Sequence, residues 1–211
     1  MEGYRTIKGF AESRFIEKKS EFIGWAKPMD SFEEAQSFVQ EAKLAFPDAR
    51  HHVWAFINKE GNIQRFDDDG EPKGTGGIPM LEVLKKEELS GICVVVTRYF
   101  GGILLGAGGL VRAYTKGAKI AVDAAGKSMK RVWSVLYVPC PYSWYERVKL
   151  TVEAFGGIIR STEFGADVEL EILVPEAQAQ PFLDKLTDLS AATIEGMETD
   201  KEYRAFPVTN Q

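Results

Sequence analysis

Along the chain the spacing of apolar and polar positions changes period several times, and each change marks an element. Between residues 4 and 27, Phe10, Phe15, Phe22 and Trp25 sit among polar neighbours, with Gly9 and Lys18-Lys19-Ser20 as turn signals, which predicts two or three antiparallel strands. From Ser31 the period lengthens. Phe32, Ala35, Phe38, Val39, Ala42 and Phe46 make one stripe of a helix that Ser31 and Glu34 open as a capping box and Pro47 closes. Residues 51–58 and 63–67 read as a hairpin around Lys59-Glu60-Gly61-Asn62. Residues 68–77 carry almost no apolar side chain and are expected outside the core. A short helix follows, with Pro79 near its first turn and Met80, Leu81, Leu84 and Leu89 turned inward. Residues 91–97, with the continuous run Ile92-Cys93-Val94-Val95-Val96, fit a strand covered on both faces.

From Leu110 to Ala125 the helical period returns. Val111, Tyr114, Ala118, Val122 and Ala125 form the expected buried stripe, while Arg112, Lys116, Lys119 and Asp123 share the other face. Around residues 127–133 the composition changes, which marks a linker or a strand crossing between domains, and the chain divides into residues 1–132 and 133–211. Beyond that point the order is strand 135–140, helix 142–155 stopped by Gly156-Gly157, strands 158–163 and 167–174, helix 175–189 and strand 192–204. This is βαββαβ, the split βαβ of the ferredoxin-like fold, so the whole chain is α+β.

Composition adds little until it is resolved along the chain. Of 211 residues 45% are hydrophobic and 27% charged, as in an ordinary soluble protein. No run approaches the roughly 18 apolar residues of a membrane span, and the start Met1-Glu2-Gly3-Tyr4-Arg5 has no apolar leader pattern, so a cytoplasmic protein without membrane contact is expected. Cys93 and Cys140 form neither a disulfide framework nor a metal-ligand spacing, and both read as core. The net charge of −5 divides unevenly: +2 over residues 1–135 and −7 over residues 136–211. Residues 98–131 alone carry +6, from Arg98, Arg112, Lys116, Lys119, Lys127, Lys130 and Arg131 against Asp123.

That basic segment opens on Arg98-Tyr99-Phe100-Gly101-Gly102-Ile103-Leu104-Leu105-Gly106-Ala107-Gly108-Gly109, a glycine loop between a strand and a helix. Glycines there permit positive φ and close backbone approach, and a helix start offers free N–H groups to an anion. Residue counting excludes a P-loop, because Ala107-Gly108 follows Gly106 where Lys-Ser/Thr is required, and excludes a dinucleotide fingerprint, because Val111 stands at its third glycine. The loop can still hold a phosphate or a polyphosphate backbone with Arg98, Arg112 and Lys116, or serve tight packing alone. The acidic turn Asp67-Asp68-Asp69-Gly70-Glu71 is no EF-hand, since Pro72 and Ile78 occupy its sixth and twelfth places. Asp68, Asp69 and Glu71 remain candidate acid/base groups or ligands for Mg²⁺ shared with a substrate phosphate. Lys73, Thr75 and the glycines 74, 76 and 77 form a second glycine-rich segment that can face the first. His51 and His52 are the two histidines; in a strand they point to opposite faces, so one of them can line a cleft as an acid/base group. No zinc spacing and no nucleophile motif accompanies them.

Two stretches resemble a known family. Asp68-Asp69-Gly70-Glu71-Pro72-Lys73-Gly74-Thr75-Gly76-Gly77-Ile78-Pro79 and Val96-Thr97-Arg98-Tyr99-Phe100-Gly101-Gly102-Ile103-Leu104-Leu105-Gly106-Ala107-Gly108-Gly109-Leu110-Val111-Arg112-Ala113-Tyr114 are similar to the motifs of the IMPACT family in its bacterial YigZ/YvyE-type form. The resemblance spans essentially the whole chain. It implies an N-terminal IMPACT domain with the βαβ-rich sandwich of a small-subunit ribosomal protein's second domain, of elongation factor G domain IV and of the GHMP kinases. It implies a C-terminal domain like elongation factor G domain V. Gly106-Ala107-Gly108-Gly109 occupies the setting of the kinase phosphate loop but lacks its serines. Eukaryotic members are implied to regulate translation through a ribosome-associated activator of an initiation-factor kinase, a pathway bacteria lack.

Together these readings give a translation-associated binding protein, without catalysis or cofactor. Its basic surface, with Lys73, Arg98, Gly101, Gly102, Gly106, Gly108, Gly109, Arg112 and Lys116, is expected to meet RNA, a ribosome or a protein partner, with no DNA specificity. The alternative is an enzyme acting on a phosphorylated or other small anion between the two glycine-rich loops, using His51, Asp68, Asp69 or Glu71.

Overall fold

The alternating start of the chain forms three strands, β1 (Tyr4–Ile7), β2 (Ala11–Glu17) and β3 (Ser20–Pro28). Lys18 and Lys19 turn β2 into β3 with φ of 45° and 66°, the left-handed pair that matches strand twist in a two-residue hairpin. In α1 (Phe32–Ala45) the Glu34 N–H donates to Ser31 Oγ at 3.2 Å, and the Glu34 carboxylate accepts from the Asp30 N–H at 3.0 Å. The return bond of the capping box therefore falls one residue early. The expected hairpin is β4 (His51–Ile57) and β5 (Gln64–Asp67), followed by α2 (Gly77–Lys86), β6 (Ile92–Tyr99) and α3 (Ala107–Ala125).

This computed structural model describes residues 3–207, so the ends of the sequence division, residues 1–2 and 208–211, lie outside the described residues. The chain forms two compact units, the first of Tyr4–Met129 together with residues 205–207 and the second of Lys130–Arg204 together with Gly3. The segment of changed composition is no loose linker: β7 (Lys127–Cys140) runs unbroken through the residues where the units divide. β1 pairs with β7 and not with β2 or β3.

The first unit is built on the sheet β2-β3-β6-β4-β5, in which every neighbouring pair is antiparallel. Its centre explains the continuous apolar run. Ile92, Val94 and Val96 pack with Met80, Leu84, Tyr114 and Ala118 of α2 and α3, while Cys93 and Val95 pack with Phe38, Val39 and Ala42 of α1. Both faces of β6 are thus covered, and the unit is a three-layer sandwich. Two expectations change here. The polar segment 68–77 enters the core: Glu71, Thr75, Gly76 and Gly77 are buried, and a Cβ on Gly76 or Gly77 would come within 2.7 Å of Val53 or 2.9 Å of Phe66. In α3 the start moves three residues upstream, taking in Gly108 and Gly109, and Val111 is exposed. The helix packs through Ala113, Gly117, Ala118 and Ala121, small residues whose contribution a search for bulky apolar positions underweights.

The second unit continues from β7 through a 3₁₀ turn (Tyr142–Trp144), α4 (Tyr145–Ala154), β8 (Ile158–Phe164), β9 (Val168–Pro175), α5 (Glu176–Ser190) and β10 (Met197–Pro207). The strand order β10-β7-β9-β8 closes the split βαβ, and Val148, Val152, Phe182 and Leu186 of the helices cover Leu136, Val138, Leu170 and Ile172. Gly156, at φ 66°, ends α4, and the Gly157 N–H donates to the Val152 carbonyl at 2.8 Å. β10 starts five residues later than expected, because Ala191 and Ala192 turn the chain at positive φ after α5. Among the described residues no helix is long and apolar enough to cross a membrane.

Candidate functional site

Antiparallel pairing of β4 with β6 sets His51 opposite Arg98. The residue that joins them comes from the polar segment, which is tied down on either side of it. Asp68 accepts the N–H groups of Gly74, Gly76 and Gly77 at 2.7, 2.9 and 2.8 Å. Asp69 accepts from the His52 N–H at 2.7 Å and from Lys43 Nζ at 2.9 Å. Burial opposes its charge, but Lys43 and the His52 N–H outweigh that and hold the carboxyl below its ordinary range.

Between these anchors Glu71 turns inward. Its Oε1 accepts from Arg98 Nη1 at 2.7 Å and from the Tyr114 hydroxyl at 2.8 Å, and His51 Nε2 lies 3.9 Å away. Arg98 is 5% exposed and Glu71 8%. Arg98 Nη2 donates to Ser20 Oγ at 3.3 Å, and the guanidinium lies over the Phe22 and Phe100 rings at 5.6 and 5.5 Å. The buried Arg98 Nε has no acceptor. Burial, reinforced by the Glu71 charge, raises the Tyr114 phenol well above its usual range, so it stays a donor. His51 Nδ1 stands 2.8 Å from the Asp69 carbonyl oxygen, a bond only a protonated Nδ1 makes. In the neutral ring Nε2 therefore carries the lone pair.

A cavity of about 370 Å³ opens over this cluster. Glu71 and Pro72, which precede the second glycine-rich segment, and Phe100, Leu104 and Leu105 of the first form its walls, with Arg50, His51 and Arg98 beside them. Gly106 and Ala107, the N-cap and first residue of α3, also line it. Gly106 has φ 73° and supplies no capping side chain, and α3 has no acidic residue in its first turn, so the first-turn N–H groups lack intrahelical acceptors and side-chain caps. Gly101 is fixed by packing: a Cβ there would stand 2.0 Å from the Lys19 backbone, and its N–H donates to Ser20 Oγ at 3.2 Å.

On the other side of Leu105 lies a smaller groove of about 150 Å³, lined by Glu17, Lys18, Gly109, Arg112 and Lys116. Lys116 Nζ sits 4.5 Å from the centre of the Phe15 ring. Lys18, Arg112 and Lys116 make no ion pair among the described residues, whereas Lys119 is held by Asp123 and Glu87.

The expected single basic surface is therefore two places. His51, Glu71, Arg98 and Gly106 meet in the cleft; Gly109, Arg112 and Lys116 meet in the groove. Arg98 is not the open anion clamp expected of it, because Glu71 already neutralises it below the surface. Asp68 and Asp69 are not poised as bases or Mg²⁺ ligands, since backbone N–H groups and Lys43 occupy them. No group of three His, Cys, Asp or Glu among the described residues is placed to hold a metal. Gly102 and the exposed Gly108 and Lys73 line neither concavity. Arg50, Tyr114 and Lys18 were not anticipated as site residues. Arg50 precedes His51 at a strand start, and Lys18 belongs to a turn already visible as Lys18-Lys19-Ser20.

Fold and site define a two-domain α+β protein whose first, three-layer unit carries a cleft walled by the glycine loop after β6 and by Glu71 and Pro72. Residues 18–122 match the Impact N-terminal domain, and residues 138–193 match a domain of unknown function, DUF1949. The IMPACT family member YvyE of Bacillus subtilis (strain 168) is 34% identical over 204 residues, covering 96% of this chain and 94% of that protein. YigZ of Escherichia coli (strain K12) is 35% identical, over 84% of this chain and 89% of its own length. A family member from Haemophilus influenzae is 37% identical, over 84% and 87%. A solved crystal structure of a protein described as hypothetical matches with a TM-score of 0.64 at 32% identity, covering 95% of this chain and 98% of that one. The chain belongs to the IMPACT family.

Proposed function

We propose that this protein is a translation-associated regulatory protein that contacts RNA, free or within a ribosomal particle, through the basic groove of its first unit. The observation that carries the reading is the convergence of Lys18, Arg112 and Lys116 on one groove without ion-pair partners. Three cations outnumber the Glu17 carboxylate on the same groove, so they are available to phosphates, and each contact releases a counterion. The groove has no base-reading array of its own, so the contact it supports is with the backbone and carries no sequence preference. No chemistry is required of it.

Fluorescence anisotropy with single-stranded RNA, run alongside ribosome co-sedimentation, tests this. Three phosphate contacts predict a log–log salt slope of about −2. Arg112→Ala with Lys116→Ala removes two contacts and brings the slope to roughly −0.7. Absence of binding to both RNA and ribosomes at low salt, or a slope the double variant leaves unchanged, refutes the reading.

A further inference from the structure

The cleft beneath the glycine loops takes no part in the groove's contact with RNA, yet it is the more elaborately built of the two. Its polar groups form one cluster: Glu71 bonds Arg98 and Tyr114, and His51 faces the same carboxylate oxygen. An ion pair this deeply buried is a poor source of stability, because desolvation of both charges offsets their attraction. Leaving Arg98 Nε unbonded adds a further penalty at the same place. An apolar core would serve packing better. The cluster sits instead under a cavity whose volume, about 370 Å³, falls in the range of small-molecule sites.

The charge that faces this cavity is positive once the pairs are removed. Glu71 is neutralised by Arg98, while Arg50 has no ion pair among the described residues. The α3 start adds N–H groups and the positive end of a 19-residue helix. The other wall is apolar and exposed: Phe100 is exposed, and Leu104 is 82% exposed in a loop whose start is fixed by the packing of Gly101.

We propose that this cleft binds a small organic anion, its carboxylate or phosphate head held by Arg50, His51 and the first-turn amides of α3, and its apolar body against Phe100, Leu104 and Leu105. The Asp69 carbonyl fixes the ring of His51, so that Nε2 accepts from a protonated head group and, when itself protonated, donates to an ionised one. The buried Arg98–Glu71–Tyr114 cluster positions the floor and does not have to open.

Isothermal titration of the full chain with phenyl phosphate and with phenylacetate tests the proposal, with inorganic phosphate and benzyl alcohol as the separated halves. At least one phenyl-bearing anion saturates a single site with a Kd on the order of 0.1–1 mM, and each half binds about tenfold more weakly or worse. Which anion binds identifies the head group. Arg50→Ala and His51→Asn each weaken binding about tenfold. Asparagine keeps a donor towards the Asp69 carbonyl while removing Nε2, and an unchanged melting temperature shows that either variant is folded. Arg112→Ala with Lys116→Ala leaves the affinity as it was, which separates this site from the RNA groove. Failure of both phenyl-bearing anions to saturate, binding indifferent to Arg50 and His51, or binding lost in the groove variant each overturns the proposal.

Discussion

His51 and His52 are adjacent and chemically identical, and the strand sends them to opposite sides of the sheet. His51 borders the cleft; His52 is buried towards α1, where its Nε2 lies 3.2 Å from the Phe46 carbonyl and its backbone N–H bonds Asp69. Burial lowers the pKa of His52 from its ordinary 6.5, and the opposing pull of Asp69 and the Phe46 carbonyl, countered by Lys43, does not restore it. A histidine kept neutral in the fold takes up its proton more readily when unfolded, so stability falls as pH drops below about 6.5 towards the depressed value. Chemical denaturation between pH 7 and 5 therefore shows a decline that His52→Gln reduces; an identical pH dependence in the variant refutes this assignment. The divergence of the two histidines was legible, because strand geometry alone requires it. The burial of Arg98 had a signal too. It follows Ile92, Val94 and Val96 on the row facing α2 and α3, but a charge at the end of a strand argues for solvent unless a partner is known. That partner, Glu71, lies 27 residues upstream in a segment with no periodicity.

Among the elements, α1 was legible from its cap and stripe, whereas the glycine loop misled at its end. Sequence spacing treats Gly106, Gly108 and Gly109 alike, yet Gly106 is an N-cap at positive φ and the other two are helical. The loop's first glycine differs again, since nothing larger fits against Lys19. These roles separate by substitution. Gly101→Ala pushes a methyl into backbone atoms and is expected at or beyond the upper end of the ~1–3 kcal/mol cost of overpacking. Gly108→Ala meets nothing closer than the far end of Arg112, at 3.6 Å, and exchanges a poor helix former for the best one. It is expected to be neutral or to stabilise by up to about 1 kcal/mol. Thermal melts of the two variants check this, and equal destabilisation would mean that both glycines serve packing. Segment 68–77 resisted prediction for a related reason. Glu71 is held by Arg98 and Tyr114, Thr75 by the Pro72 carbonyl, and Gly76 and Gly77 by Asp68 and close packing, none of which leaves an apolar signature.

Across the whole molecule, the second unit was the more readable half because its elements are punctuated locally, by Gly156-Gly157 after α4 and by alternation in β9. The first unit depends on distant pairings, such as β3 with β6 and β4 with β6, which no local pattern announces. The same difference bears on stability. Two clusters, around Tyr114 and around Phe38 and Phe56, cover the faces of the first sheet, while the cluster around Phe182 and Leu170 belongs to the second unit and shares no residue with either. Separate cores unfold as separate cooperative units unless something joins them, and β7 runs continuously across the division between the two. Calorimetry is therefore expected to show two transitions. Phe56→Ala and Phe182→Ala, each removing a fully buried ring at a cost of about 3–5 kcal/mol, should each lower a different one. A single transition that both variants lower equally would show that the two units unfold as one cooperative body.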